Sequence, residues 1–433
     1  MKTSKFNTTL PYGDNVLLYN SFSDHFILVN PLLKELLEAA EGENDINGLV
    51  NYHPGFYKEL LDHGFILNNQ VDEIEELKKL SLEVDSNAST YLLTINPTMG
   101  CNFKCWYCYE THIAGSKMEE PIIEKILRFL ENQKNDNPQL KHFSMAFFGG
   151  EPLIYYRQAV VPLLKGAKKI FQDSDVQFRS SFTTNGYLLD QEKIDFLKDH
   201  HVGGMQITLD GNKEFHNKVR YVNTEKGSYE KIISNIKLLV RNGLGVTMRI
   251  NYTNDNFFSC MEIADDFADL EVEFKKKILV DFHQVWQDEG HENVSTRPGV
   301  EKFSAAGFSV RSKATNLNNV RDSCYADKRN SATFNYNGEV FKCTARDFTT
   351  ENSLGILTND GYIQWKEEYE RRQTAKFHNA PCFECKLMPI CNGGCSQHAY
   401  EHLDKKEDYC VFGFNEHKKD ELILERFRMR AEN

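Results

Sequence analysis

The stretch Asn96-Pro97-Thr98-Met99-Gly100-Cys101-Asn102-Phe103-Lys104-Cys105-Trp106-Tyr107-Cys108-Tyr109 follows directly on Tyr91-Leu92-Leu93-Thr94-Ile95, a short apolar run of strand type. Cys101, Cys105 and Cys108 put three thiols in one loop. Three thiolates at this spacing can hold three corners of a cubane iron-sulfur cluster and leave its fourth iron open to a ligand. Eleven cysteines in a chain with no disulfide-rich character point to metal rather than to cross-links, as expected of a reducing, cytoplasmic compartment. The 433 residues are enough for two or three domains. A net charge of -12 argues against a nucleic-acid partner, which needs clustered Lys and Arg. No apolar run is long enough to span a bilayer, so no membrane partner is expected.

Outward from the cysteine loop, strand-like runs alternate with helical spacing. Strands are expected at Tyr91-Ile95, Phe143-Phe148, Val176-Phe182, Met205-Leu209, Val246-Asn251 and Ile278-Phe282, with helices at Ile122-Leu130, Ile194-Leu197 and Tyr229-Leu239 between them. This rhythm predicts α/β architecture with six parallel βα units, a partial barrel whose site lies at the C-terminal ends of the strands. The cysteine loop follows the first strand and falls on that face. Gly149-Gly150-Glu151-Pro152 follows the second strand, Thr183-Thr184-Asn185-Gly186 the third, and Thr208-Leu209-Asp210-Gly211 the fourth. Paired glycines permit close backbone approach to a ligand, although strand-to-helix turns use glycine in any case. Asn-Gly and Asp-Gly are likewise common turn dipeptides.

A second cysteine field runs through Cys324, Cys343, Cys382, Cys385, Cys391, Cys395 and Cys410. Paired Cys-x2-Cys elements also suit structural zinc, so spacing alone leaves the metal open. Thr333 to Phe341 reads as a hairpin with an Asn-Gly turn, a helix is expected over Val300-Val310, and another over Asn415-Arg430. The amino-terminal part, with short strands at Val16-Tyr19 and His25-Val29, helices around Leu32-Leu37 and Phe56-Leu61, and a strand at Phe65-Leu67, reads as a small α+β unit with winged-helix character. Its acidic residues outnumber its basic ones, which disfavours DNA and leaves a peptide adding to a strand edge as its natural ligand.

The Cys-x3-Cys-x2-Cys loop with an aromatic before its last cysteine resembles the signature of the radical S-adenosylmethionine (radical SAM) superfamily. In that family the open iron chelates SAM, whose reductive cleavage gives a 5'-deoxyadenosyl radical. The resemblance implies that Gly149, Gly150 and Glu151 receive the SAM amino group, that Asn185, Thr208, Arg220 and Arg249 line its ribose and carboxylate side, and that Tyr107 shields its adenine. The later cysteine field resembles the SPASM domain, implying two auxiliary [4Fe-4S] clusters and three in all. Cys324, Cys343 and Cys395 would hold the inner one, and Cys382, Cys385, Cys391 and Cys410 the outer one. The residues before Cys324 carry no fourth inner cysteine, and Thr344 stands where sulfatase-maturing relatives place an aspartate base. Asp347 or His283 is then the candidate base.

Together these resemblances imply three domains: a peptide-binding unit over 1–85, similar to the recognition element of RiPP (ribosomally made peptide) maturases, a barrel over 90–286 and a SPASM domain over 321–433. Residues 287–320 would connect the last two. The implied function is modification of a ribosomally made precursor peptide bound through its leader, forming a thioether or carbon-carbon cross-link, with a flavodoxin or ferredoxin as reductant. Sulfatase-type maturation, another peptidyl oxidation or epimerisation are the enzymatic alternatives. A leader-binding or electron-transfer partner is the non-catalytic one.

Overall fold

The structure, a computed structural model, describes residues 1–223, 226–288, 294–311, 319–405 and 407–431. Residues 289–293 and 312–318 of the expected 287–320 connector therefore lie outside the described residues. The chain divides into two compact units, one made of Met1–Asn87, Lys313–Arg329 and Glu370–Asn433, the other of Ala88–Ser312 and Asn330–Tyr369.

In the first unit, β1 (Lys2–Thr3) pairs with β5 (Ile66–Leu67), and β2 (Asn7–Tyr12), β3 (Asn15–Asn20) and β4 (His25–Val29) form an antiparallel meander. Helix Pro31–Gly42 starts where the Asn30 side chain accepts the Leu33 N–H and Pro31 supplies a preset φ. Helix Pro54–Asp62 follows it, and helix Glu73–Asp85 is capped by Asp72. One face of the meander packs Leu18 and Val29 on Leu37, Leu49, Phe56 and Leu60. Its other face packs Leu10, Leu17 and Tyr19 on Leu387, Ile390 and Ile423. The carboxy-terminal helix Glu416–Ala431 is further tied down by Arg426 and Arg430, which both pair with Asp24. The amino-terminal segment thus shares its core with the carboxy-terminal cysteine segment, because each has an apolar face too large to leave in water. Helix Glu73–Asp85 buries Leu77, Ser81 and Asp85 on one side.

The second unit is built on an eleven-stranded sheet. Its strands are β6 (Thr90–Ile95), β7 (His142–Phe147), β8 (Gln177–Thr184), β9 (Val202–Leu209), β12 (Gly245–Tyr252), β13 (Ile278–Gln284), β14 (Ser309–Arg311), β15 (Ser331–Phe334), β16 (Glu339–Phe341), β17 (Gly355–Leu357) and β18 (Ile363–Trp365). A separate small pair is formed by β10 (Tyr221–Asn223) and β11 (Lys226–Gly227). The sheet order is β14-β13-β12-β9-β8-β7-β6-β15-β16-β17-β18, and the first eight are parallel neighbours. The six expected strands all form, in the expected order.

Two differences from expectation have physical reasons. Val300–Val310 does not stay helical: the helix is Arg297–Ala305, Gly307 turns the chain at φ +93°, and Ser309–Arg311 joins β13 as a seventh parallel strand. The segment 321–433 is not continuous in space, because β15 pairs in parallel with β6 and draws 330–369 into this sheet.

Burial alternates along the parallel strands, as in β6 and β8. Helices Glu120–Asp136, Val161–Phe171, Gln191–Asp199 and Tyr229–Arg241 supply one apolar face each to a single core that includes Leu93, Ile95, Phe147, Phe182, Ile207, Ile236 and Met248. The opposite sheet face carries polar residues, and Ser181, Thr183, Gln206, Thr247 and Lys277 line a cleft of about 470 Å³ there. A parallel sheet covered on one face only is the arrangement of an open barrel with a polar interior.

Phe334 on β15 is fully buried, edge-on to Phe129 at 4.9 Å. Phe334→Ala is expected to cost about 3–5 kcal/mol in denaturant unfolding of this unit. A loss below about 1 kcal/mol would show that β15 is not seated in the core.

Candidate functional site

At the end of β6 the cysteine loop is held by its own backbone. Thr98 Oγ1 accepts the Gly100 N–H (2.8 Å) and donates to Ser116 O (2.6 Å), while Ser116 Oγ accepts the Met99 N–H (2.9 Å). The turn after β7 is laid on this loop. Gly150 N–H donates to Thr98 O (3.2 Å) and Glu151 N–H to Gly100 O (2.9 Å). A Cβ on Gly149 would sit 2.5 Å from Thr98 O, and one on Gly150 would sit 2.3 Å from Gly100 O, so neither position has room for a side chain. Gly149 also adopts φ +96°.

Glu151 is fully buried. Its carboxylate accepts the N–H groups of Leu153 (3.0 Å) and Asn185 (2.8 Å) and the hydroxyl of Thr184 (2.8 Å). It therefore ties the ends of β7 and β8 together, and the carbonyls of the turn are the groups left to meet an ammonium. Asn185 Nδ2 donates to Asn102 Oδ1 (2.7 Å), inside the cysteine loop. Among the described residues, Asn102 Nδ2 and both polar atoms of Asn96 are buried without a hydrogen-bond partner, groups that a polar ligand would complete.

A second network gathers on the same face. Tyr107 donates to Asp210 Oδ1 (2.5 Å) and accepts from Arg220 Nη2 (2.8 Å) and Asn251 Nδ2 (3.1 Å). Arg220 Nε pairs with Asp210 Oδ2, and Arg249 Nε donates to Asn251 Oδ1 (2.9 Å). Burial raises the Tyr107 phenol well above its usual value in spite of the Arg220 charge, so it stays protonated. Arg249 stands beside Thr208 in the β9–β12 register. Tyr107, Arg220 and Arg249 thus come together, while Arg220 is already paired with a carboxylate of its own chain. Asn251 joins the network two residues after Arg249 on the same strand, and Asp210 enters it from the Thr208-Leu209-Asp210-Gly211 turn; the resemblance gave Asp210 no contact of its own.

His216 supports Asp210 from below. Its Nδ1 accepts the Asp210 N–H (3.3 Å), and its Nε2–H faces Ser228 Oγ (2.9 Å), which donates to Arg220 O (2.7 Å). Burial, with the Arg220 charge adding to it, holds His216 neutral, well below the usual imidazole value.

The three loop thiols are all raised, Cys101 to about 12 and Cys108 to about 11, with burial the main cause and Cys105 adding to both. They are close enough to oppose one another's ionisation, and only a bound cation would hold them as thiolates at neutral pH. That donor set of three soft sulfurs beside polar strand ends fits an iron-sulfur cluster.

Of the two candidate bases, His283 Nε2 lies 2.9 Å from Asp281 Oδ2, which also accepts from Arg311 Nη1 (3.1 Å), at the ends of β13 and β14. Asp347 accepts the Thr111 N–H (2.8 Å) and the Thr111 hydroxyl, which makes it a staple for the exit of the cysteine loop. Neighbouring Glu110 is buried, and burial with the Asp347 charge pushes it up to about 8. In the first unit, Cys391 is raised to about 12 by burial and by Cys382, Cys385 and Cys410, so these four thiols gather. Asn379 Nδ2 donates to Cys382 Sγ (3.2 Å). Cys324 and Cys395 also belong to the first unit and Cys343 to the second.

The family model of the radical SAM superfamily matches residues 95–267, the span from the end of β6 through β12. The chain carries a radical SAM domain. It is similar to a cysteine-type anaerobic sulfatase-maturating enzyme of Clostridium novyi, 30% identical over 33% of this chain and 38% of that one. It is also similar to the radical SAM cyclopropyl synthase TigE of Paramaledivibacter caminithermalis, 23% identical over 81% of this chain and 77% of that one. Among solved structures, Streptococcus suis SuiB bound to its precursor peptide SuiA aligns with a TM-score of 0.52 at 15% identity, over 94% of this chain and 97% of SuiB. That likeness is one of fold. The chain spans less than half the length of two of the curated relatives it matches, 44% and 38%. Over residues 95–267 the chain is similar to radical SAM enzymes, and among the described residues no helix is long and apolar enough to cross a membrane.

Two outcomes follow from the Asp210 network. Asp210→Asn leaves the Arg220 charge buried and uncompensated, and is expected to cost about 3 kcal/mol in denaturant unfolding. His216 takes a proton near 6.5 when unfolded but not when folded. Its contribution to stability is therefore complete above pH 6.5 and is lost as pH falls below that value, by about 1.4 kcal/mol per unit. Denaturation at pH 7.5, 6.5 and 5.5 should show this slope in the parent chain, and a shallower one in His216→Gln.

Proposed function

We propose that the chain is a peptide maturase that modifies a ribosomally made precursor, most simply by forming a thioether or carbon-carbon cross-link. The observation that carries the reading is the convergence of the cysteine loop, the Gly149-Gly150-Glu151 turn and the Tyr107–Asp210–Arg220 network at the C-terminal ends of one parallel sheet. Cys101, Cys105 and Cys108 would hold the [4Fe-4S] cluster, and SAM bound there would supply a 5'-deoxyadenosyl radical for hydrogen abstraction. The chain's own part is positional. Asn185, Thr208, Arg249 and the carbonyls of the Gly149-Gly150 turn orient the cofactor's polar groups, while Tyr107 is kept neutral and fixed.

Cys382, Cys385, Cys391 and Cys410, all in the first unit, would hold an outer auxiliary cluster. For a base, His283 is favoured over Asp347, since it is only half-buried at a strand end with Nε2 held 2.9 Å from Asp281 Oδ2, whereas Asp347 is engaged by Thr111. The leader would add as a strand at an edge of the β2–β3–β4 meander. A flavodoxin or ferredoxin would deliver the electron, in the cytoplasm.

Sulfatase-type maturation is the second reading, favoured by the Clostridium novyi relative's name. Thr344 after Cys343, and the engagement of Asp347 by Thr111, argue against it.

The test is anaerobic incubation of cluster-loaded enzyme with SAM, a reductant and the precursor peptide encoded beside it, followed by high-resolution mass analysis. A SAM-dependent loss of two hydrogens from the peptide is the expected result. Conversion of a sulfatase-derived peptide to formylglycine instead would select the second reading. The Cys101→Ala, Cys105→Ala, Cys108→Ala chain should bind about four fewer irons and form no 5'-deoxyadenosine. Persistent turnover would overturn the radical reading.

A further inference from the structure

Outside the cysteine fields, the described residues contain one further group of potential metal ligands, in the first unit. His25 opens β4, and Glu59 and His63 lie one turn apart at the end of helix Pro54–Asp62. One ligand atom from each of the three lies within 4.8 Å of the other two. The His25 and His63 rings are stacked at 3.5 Å with an interplanar angle of 4°, and His63 Nε2 is 3.3 Å from Glu59 Oε1.

This arrangement is unusual for residues with no shared task. Two stacked imidazoles gain little from each other while neutral and repel when both are protonated. The His25 imidazole is indeed lowered, by its partial burial and by His63. A cation reverses that balance, since neutral imidazole nitrogens and a carboxylate are its preferred ligands. Zinc-nitrogen and zinc-oxygen bonds of about 2.0–2.2 Å put tetrahedral ligands about 3.4 Å apart, so a contraction of about 1.4 Å from the present limit, with the two rings swung out of their stack to bring the ion into each ring plane, closes the site. His25 and His63 are half-buried and Glu59 is exposed, so rotation of the side chains can supply it. The C-terminal end of helix Pro54–Asp62 adds the negative end of its dipole. Arg430 is the opposing charge nearby, and it is itself paired with Asp24.

We propose that His25, Glu59 and His63 bind a divalent transition-metal ion of the zinc type, with its remaining position open to water. The ion joins β4 to helix Pro54–Asp62, two elements otherwise held by apolar packing. The site does not rest on the maturase reading.

The test uses the full chain with its clusters assembled anaerobically, exposed to Zn²⁺ and desalted, with zinc and iron counted by mass spectrometry. One zinc per chain with unchanged iron is expected, together with a zinc-dependent rise in Tm. His25→Ala and His63→Ala should lose both, and Glu59→Gln should weaken binding while keeping the imidazoles. Equal zinc content in parent and variants, or zinc gained only as iron is lost, would overturn the site. If an alanine variant fails to fold, His25→Gln with the Tm readout decides in its place.

Discussion

The contact on which the site depends is between two pieces of backbone. Residues 98–100 and 149–151 approach so closely that the second can carry no Cβ at its first two positions, and two N–H···O=C bonds hold them there. The pairing of β6 with β7 brings the two loops side by side, but the register of the ladder alone does not lock them. The lock comes from the double glycine, which lets one turn lie on the other, and from Glu151, which is buried beneath and accepts the Thr184 hydroxyl and the Asn185 N–H at the end of β8. Cysteine geometry follows, because the first cysteine is next in sequence to Gly100.

Electrostatics then distributes labour around this contact. Glu151 and Asp210 are both buried, yet each is satisfied differently: Glu151 by neutral donors, Asp210 by the Arg220 cation and the Tyr107 hydroxyl. A buried ion pair is a weak source of stability but a strict geometric constraint. Here it fixes Tyr107 between Cys105 and Cys108, and so fixes the loop that carries them. His216 and Ser228 extend the constraint to the backbone at both ends of the Asp210-to-Arg220 segment.

What the sequence revealed, and what it hid, divides along the range of the interactions. Six parallel strands were legible because each is a short apolar or alternating run closed by a turn. The cysteine loop and the Gly-Gly-Glu-Pro turn were legible because their chemistry is local. Asp210 was hidden because its partners, Tyr107 and Arg220, are brought to it only by the sheet. Residues 309–311 were hidden because a three-residue strand has no periodicity of its own and forms only against an existing edge. β15 was legible as one arm of the Thr333–Phe341 hairpin, but its parallel pairing with β6, which spans well over two hundred residues of chain and splits a segment that reads as one domain, was not.

The raised thiols of both cysteine fields carry a consequence for folding. In the metal-free chain, burial keeps Cys101, Cys108 and Cys391 protonated, so the loops that hold them are packed as neutral groups. Loading must remove those protons, and the free energy for doing so comes from metal-sulfur bonds rather than from the fold. The scaffold around the first three is already rigid through Glu151, Asp210 and the double glycine, so binding there requires little rearrangement of backbone. The outer four depend instead on short helical turns, Ala380–Phe383 and Met388–Cys391, with Asn392 at φ 55° ending the second. Turns of four residues have little stability of their own. On the proposed assignment, the carboxy-terminal field is where a metal would contribute most to order, and the sheet-borne loop is where order would be in place before a metal arrives.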